Sequence, residues 1–178
     1  MPLRKMTEND LKMVLDWRNS PSVRENMYTS HVIQWDEHQK WFEHIKDNPS
    51  FLWLIYEEIH PEGVVYFTNI DKQCRKAFWG FYAGDTKAIG IGMRIAYEAM
   101  QYAFNDLNLR KLNCEILAFN KVVINQHYKF GFKKEGVFRK DHCKDGEYID
   151  VIRMGIFHDE WKSVEPIIAR KICKIRNN

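Results

Sequence analysis

Apolar positions change period several times along the chain, and each change marks an element. Leu11, Val14 and Leu15 follow Thr7-Glu8-Asn9-Asp10 at helical spacing. Thr7 is a candidate N-cap there, and the acidic residues suit the positive end of the helix dipole. Ser20-Pro21 breaks the pattern. A second helix is predicted from about Trp35 to Lys46, with Trp41, Phe42 and Ile45 on its buried side. Phe51 to Tyr56, Val64 to Ile70 and Ala77 to Tyr82 are apolar, aromatic runs of strand length. The turns His60-Pro61-Glu62-Gly63 and Asp71-Lys72-Gln73 separate them, so the three read as an antiparallel meander. A long helix follows from about Ile91 to Asn105, with Ile95, Ala96, Ala99, Met100 and Ala103 on one face. Lys111 to Leu117 is a strand and Asn120 to Tyr128 a short helix, with Gly131 placed as its left-handed terminator. Strands over Lys133 to Arg139 and Tyr148 to Ile156 flank the turn Lys144-Asp145-Gly146.

The resulting order, β-α-α-β-β-β-α-β-α-β-β, predicts an α+β domain. Its mixed, mostly antiparallel central sheet has about seven strands flanked by about four helices. Residues 1–158 form this domain, and residues 159–178 read as a basic C-terminal tail with helical potential.

Composition narrows the class. A chain of 178 residues suits one domain and can bury a core without staples. The net charge of +3 is too balanced for a dedicated nucleic-acid binder, though it favours anionic ligands. The cysteines, Cys74, Cys114, Cys143 and Cys173, are scattered with no metal-ligand spacing, so reduced thiols and no metal site are expected. No apolar stretch reads as a signal or a membrane span. These features predict a soluble, cytoplasmic protein with no membrane or nucleic-acid partner.

The sharpest local signal is Lys87-Ala88-Ile89-Gly90-Ile91-Gly92, which leaves a strand and enters a long helix. Glycines let backbone N–H groups approach a ligand, and the helix start adds unpaired donors and a positive dipole end. That combination binds phosphate. No Gly-Lys-Ser/Thr follows, which excludes a Walker loop, and the meander before it does not fit a dinucleotide fold.

The loop and the stretch Asn120-Lys121-Val122-Val123-Ile124-Asn125-Gln126-His127-Tyr128-Lys129-Phe130-Gly131-Phe132 together resemble the GNAT acetyltransferase superfamily. The family's loop is Gln/Arg-x-x-Gly-x-Gly/Ala, matched here by Lys87, Gly90 and Gly92. The resemblance implies an opening between the fourth and fifth strands that takes acetyl-CoA. The diphosphate would rest on Lys87, Ala88, Ile89, Gly90, Ile91, Gly92 and Met93. The pantetheine arm would pair with Phe81, Tyr82 and Ala83, as an added strand does. Asn120 and Asn125 would be further cofactor contacts. Tyr128 would be the general acid for the leaving thiolate. Glu115, a carboxylate in an apolar strand, is the candidate base, and a solvent-facing strand residue would read the same way.

The N-terminal half carries Asp16-Trp17-Arg18-Asn19, Met27-Tyr28 and Glu37-His38-Gln39-Lys40-Trp41-Phe42. With Ile149-Asp150-Val151, it is similar to the aminosugar N-acetyltransferases of pseudaminic acid biosynthesis. These act on the 4-amino group of a UDP-linked dideoxy sugar. The resemblance implies a UDP-aminosugar partner held by Arg18, Met27, His38, Thr68 and Phe78. Arg18 and His38 are types that meet a diphosphate, and Phe78 one that stacks on a base. The sequence leaves open a ribosomal-type N-terminal protein acetyltransferase, another small amine acceptor, and a non-catalytic acyl-CoA-binding module. A homodimer is compatible with all of these.

Overall fold

The computed structural model describes residues 2–84 and 88–176, apart from the Arg176 side chain. Among them seven strands form one sheet in the order β1-β2-β3-β4-β5-β7-β6. The strands are β1 (Leu3–Lys5), β2 (Leu52–Glu57), β3 (Pro61–Asp71), β4 (Lys76–Ala83), β5 (Lys111–Leu117), β6 (Lys133–Lys144) and β7 (Glu147–Phe157). All neighbours are antiparallel except β4 and β5. This is the expected α+β sheet. Six α-helices accompany it, two more than expected: α1 (Leu11–Asn19), α2 (Pro21–Arg24), α3 (Trp35–Ile45), α4 (Ile91–Gln101), α5 (Lys121–Lys129) and α6 (His158–Arg176).

The extra two have local causes. Pro21 breaks α1 but also starts the single turn α2, because proline suits the first helical position, where no N–H is needed. In α6, Trp161, Ile168 and Ile172 recur at helical spacing and are 5% exposed or less. They sit in the same core as Ile95, Met100 and Phe104. The stretch read as a tail is therefore a helix seated on the domain's main core.

Thr7 is the N-cap, as expected, in a capping box with Asp10, whose carboxylate accepts from the Thr7 N–H and hydroxyl at 2.8 and 2.9 Å. Asp10 also takes two bonds from Arg4, which ties β1 to the start of α1. The long helix keeps α geometry only to Gln101 and continues as a π turn over Tyr102–Asp106.

The sheet separates two layers. On one face α4, α5 and α6 cover Val65, Phe67, Trp79, Leu112 and Met154. On the other, α1 and α3 cover Ile55, Val64 and Tyr82 with Val14, Phe42 and Ile45. Alternation along β4 decides which side each residue serves: Trp79 and Phe81 join the first layer, Tyr82 the second.

The feature that creates a site is the parallel pair. β4 and β5 pair only through Lys76↔Lys111, Ala77↔Leu112 and Phe78↔Asn113. Beyond that point β4 stays paired with β3 as far as Ala83, and β5 with β7 as far as Leu117. The two strands diverge, and the fork presents β4 backbone without a strand partner on one side. Asn113 sits at the crotch, 6% exposed, its side-chain N–H donating to Ala77 O at 3.1 Å.

Candidate active site

The front of α4 lies beside the open end of this fork. Gly90 is left-handed, with φ of 76°, which costs glycine nothing and other residues a steric clash. It turns the chain into α4, where Met93 N and Arg94 N already donate to Gly90 O at 3.0 and 3.1 Å. Gly92 faces the groove between α4, β4 and α5. A Cβ there would lie 3.8 Å from both Gln126 of α5 and Phe81 of β4. Among the described residues nothing crowds Gly92, so its missing side chain leaves room rather than relieving a clash. Ile91 is buried under the loop, Met93 and Ala88 are partly covered, and Ile89 is 86% exposed. Lys87, the expected charged member of the loop, lies outside the described residues.

α5 lines the other side of the groove. Asn120 caps it by accepting from Val123 N at 3.2 Å, and its side-chain N–H donates to Asn26 at 2.9 Å. This residue therefore ties the start of α5 to the segment after α2. Asn125 is exposed, and Tyr128 is 47% exposed on the last turn. His127 turns inward. Burial lowers its pKa to about 4, although a bond from Nδ1–H to Val123 O favours the charged form. It is a neutral core histidine, tilted against Trp79 and edge-on to Phe132. Residues Phe81, Gly92 and Gln126 thus meet in one groove, with Tyr128 on the helix that walls it.

The opposite face of the sheet carries two polar clusters. In the first, Glu115 accepts from Arg153 at 3.1 Å and from Tyr28 at 3.2 Å, so both its oxygens are engaged. The Arg153 guanidinium lies over the Phe78 ring, 4.1 Å from its centroid. Tyr28 meets His142 edge-on, and Lys144 from the β6–β7 turn donates to Met27 O at 3.1 Å. Thr68 pairs with Phe78 across β3 and β4. No hydrogen bond joins Glu115 to Tyr128 among the described residues; the two stand on different layers.

The second cluster lines a cavity of about 200 Å³ formed by Arg18, Thr29, Ile33, Glu37, His38, Trp41, Trp53 and Tyr82. Arg18 Nη2 donates to Thr29 O at 3.3 Å, but Nη1 is buried with no partner among the described residues. His38 Nε2 and Trp53 Nε1 are likewise buried, with no partner among the described residues. Burial pulls the Arg18 and His38 pKa values below their usual ranges. Tyr82, expected on the pantetheine, turns its side chain into this second cavity. Tyr66 stacks on Trp53, 4.5 Å between centroids, and its phenol crosses over Gly80.

Sequence reasoning named Arg18, His38, Phe78, Thr68 and Met27 on this face. It missed Asn113, Trp53, Gln126, Tyr28 and Arg153. Asn113 was detectable as a polar residue in an apolar strand. Arg153 was not, because its role depends on the register Glu115↔Arg153 between β5 and β7.

A parallel pair that forks beside a glycine-turned helix start defines an acyl-CoA-dependent acetyltransferase, and residues 3–152 match the family described as acetyltransferase (GNAT) domain. The chain belongs to that family and is an acetyl-CoA-dependent N-acetyltransferase. Among its relatives is the spermidine N(1)-acetyltransferase of Escherichia coli K12, 29% identical over 164 residues, 89% of this chain and 87% of the relative. Acetyltransferase PseH of Campylobacter jejuni is 26% identical over 151 residues, 79% and 92% of the two chains. The spermidine N-acetyltransferase of Vibrio cholerae, solved with CoA and spermine, superposes with a TM-score of 0.83 at 20% identity, covering 90% and 96%. Among the described residues no group of His, Cys, Asp or Glu could hold a metal, and no helix is long and apolar enough to cross a membrane.

Proposed function

We propose that the acceptor is the amine of a UDP-linked aminosugar, acetylated at the fork between β4 and β5. One observation carries this choice: Arg18, His38 and Trp53 line one cavity, and each keeps a buried polar atom (Nη1, Nε2 and Nε1) with no hydrogen-bond partner among the described residues. A buried polar group without a partner costs roughly 1–3 kcal/mol, and a ligand that supplies acceptors recovers it. Phosphoryl and uracil oxygens are such acceptors, and the walls contributed by Trp41 and Trp53 suit a flat ring. The likeness of Asp16-Trp17-Arg18-Asn19 and Glu37-His38 to pseudaminic-pathway aminosugar acetyltransferases points the same way.

The relatives named for spermidine support a second reading, a polyamine acceptor. A polycation needs uncommitted carboxylates. Glu115 is paired with Arg153, and Glu37 lies 3.1 Å from His31, while Arg18 would repel the ligand. These charges favour the sugar nucleotide.

Acetyl-CoA supplies an acetyl group activated as a thioester. The chain's own features fit it: the unpaired edge of β4, the room at Gly92 and the left-handed Gly90. The backbone from Phe81 to Ala83 offers strand-like bonds, and the first-turn amides of α4 face the diphosphate. Asn120 and Asn125 flank this path on α5. Tyr128 holds a proton on its phenol for the departing sulfur. Glu115, with both oxygens engaged, orients the incoming amine more readily than it accepts the ammonium proton, which passes to water. Phe78, Thr68 and Met27 border the acceptor on the Glu115 side.

The test is a competition. Equimolar UDP-aminosugars and spermidine are incubated with acetyl-CoA and the products are read by mass spectrometry. Acetylated sugar nucleotide is expected to dominate; exclusive acetylation of spermidine would select the second reading.

A further inference from the structure

The end of α6 reaches the front of α4. Ile175 packs on Gly90, where a Cβ would fall 2.9 Å from Ile175 Cγ2. Earlier in the helix, Val164 packs on Gly131, 3.0 Å from a Cβ there. The helix therefore runs from the end of α5 to the start of α4, and its two flanks meet different neighbours. Glu165 accepts from Tyr97 of α4 at 2.6 Å, and Trp161 donates to Gln101 at 3.2 Å. Glu160, on the other flank, accepts from Lys133, just past α5, at 2.5 Å.

At about 100° per residue, Lys171 and Lys174 share the flank of Glu160, roughly 40° and 100° round the axis from Ile175. Both are exposed, and among the described residues no ion pair engages either. Lys171 stands one turn, about 6 Å, before Ile175. By helical phase, two cations thus stand on the α5 side of the helix end that packs on Gly90. Ile89, next to Gly90 in the chain, is 86% exposed, and Val122, on the first turn of α5, is 78% exposed. Val122 lies one turn before Gln126, the residue that reaches toward Gly92. A bare aliphatic side chain at the turn, with two ammonium groups on the helix end that packs on it, matches an aromatic heterocycle that bears a phosphate.

Beyond its diphosphate, acetyl-CoA carries an adenosine with a phosphate on the 3′ oxygen. We propose that Lys171 and Lys174 bind this 3′-phosphate, which makes the C-terminal helix part of the cofactor site. The assignment rests on the diphosphate lying at the front of α4. It gives the basic end of α6 a role beyond complementing its own helix dipole.

Calorimetry with coenzyme A and 3′-dephospho-coenzyme A tests it on the whole chain. The wild type is expected to bind coenzyme A about tenfold more tightly, the effect of one or two charge-assisted bonds. Lys171→Met/Lys174→Met is expected to bind the two nucleotides alike, at the wild-type affinity for the dephospho form and with an unchanged melting temperature. Lys171→Arg/Lys174→Arg is expected to retain the preference. No preference in the wild type, a preference kept by the methionine variant, or equal weakening toward both nucleotides would overturn the proposal. Normal binding of both nucleotides by Gly92→Asp would instead remove the diphosphate assignment beneath it.

Discussion

Tyr128, Glu115 and His127 are polar residues in or beside the same fork, and environment assigns them different tasks. Tyr128 is half exposed at the groove, where a phenol can meet a developing thiolate. Tyr128→Phe is expected to lower kcat by about 10²-fold while acetyl-CoA affinity stays within a factor of two, as general acid catalysis predicts. Stopped-flow turnover alongside equilibrium binding separates the two. Glu115 has Arg153 and Tyr28 on its oxygens. Glu115→Gln is expected to raise KM for the acceptor and keep the acidic limb of the pH–rate profile; loss of that limb would make Glu115 the base. His127 is charged in the unfolded chain below about pH 6.5 and in the folded chain only near pH 4. Between those values the unfolded state binds more protons, so stability falls as pH falls, by up to about 3 kcal/mol. His127→Gln, which can still donate to Val123 O, is expected to lose less stability between pH 7 and pH 5 in urea melts.

At the scale of elements, the loop-to-helix turn was legible because Gly90 and Gly92 are local signals. Gly90 takes its left-handed conformation from the chain's need to enter α4 at once. Gly92 differs: its described neighbours leave a Cβ room, so packing does not require its smallness. Gly92→Asp is expected to fold normally and to abolish measurable coenzyme A binding in calorimetry, because the side chain fills the groove with a like charge. The ends of elements were less legible. Pro21 ended one helix and started another, and α4 loosened into a π turn at Tyr102. The hairpin turn at Asp145-Gly146 was read correctly, since both residues adopt positive φ as a two-residue turn of that type requires.

For the whole molecule, function depends on where the sheet fails to close. β4 and β5 share three residue pairs and then part. Each strand remains anchored on its far side, so the fork is rigid and preformed. The amides of Trp79 to Ala83 are expected to gain hydrogen-exchange protection when coenzyme A binds, while those of β6, at the far edge, stay unchanged. Uniform protection across the sheet would indicate general stabilisation in place of strand-like pairing at the fork.

Local rules were enough for the strands, most helices, the glycine turn into α4 and the family, because period, glycine placement and short motifs act over a few residues. Tertiary structure decided the rest. Whether Glu115 meets a guanidinium, whether Arg18 Nη1 finds a partner, and whether the last helix touches the turn before α4 all depend on residues distant in the chain. Such contacts follow from strand register and layer packing, which no short window of sequence contains.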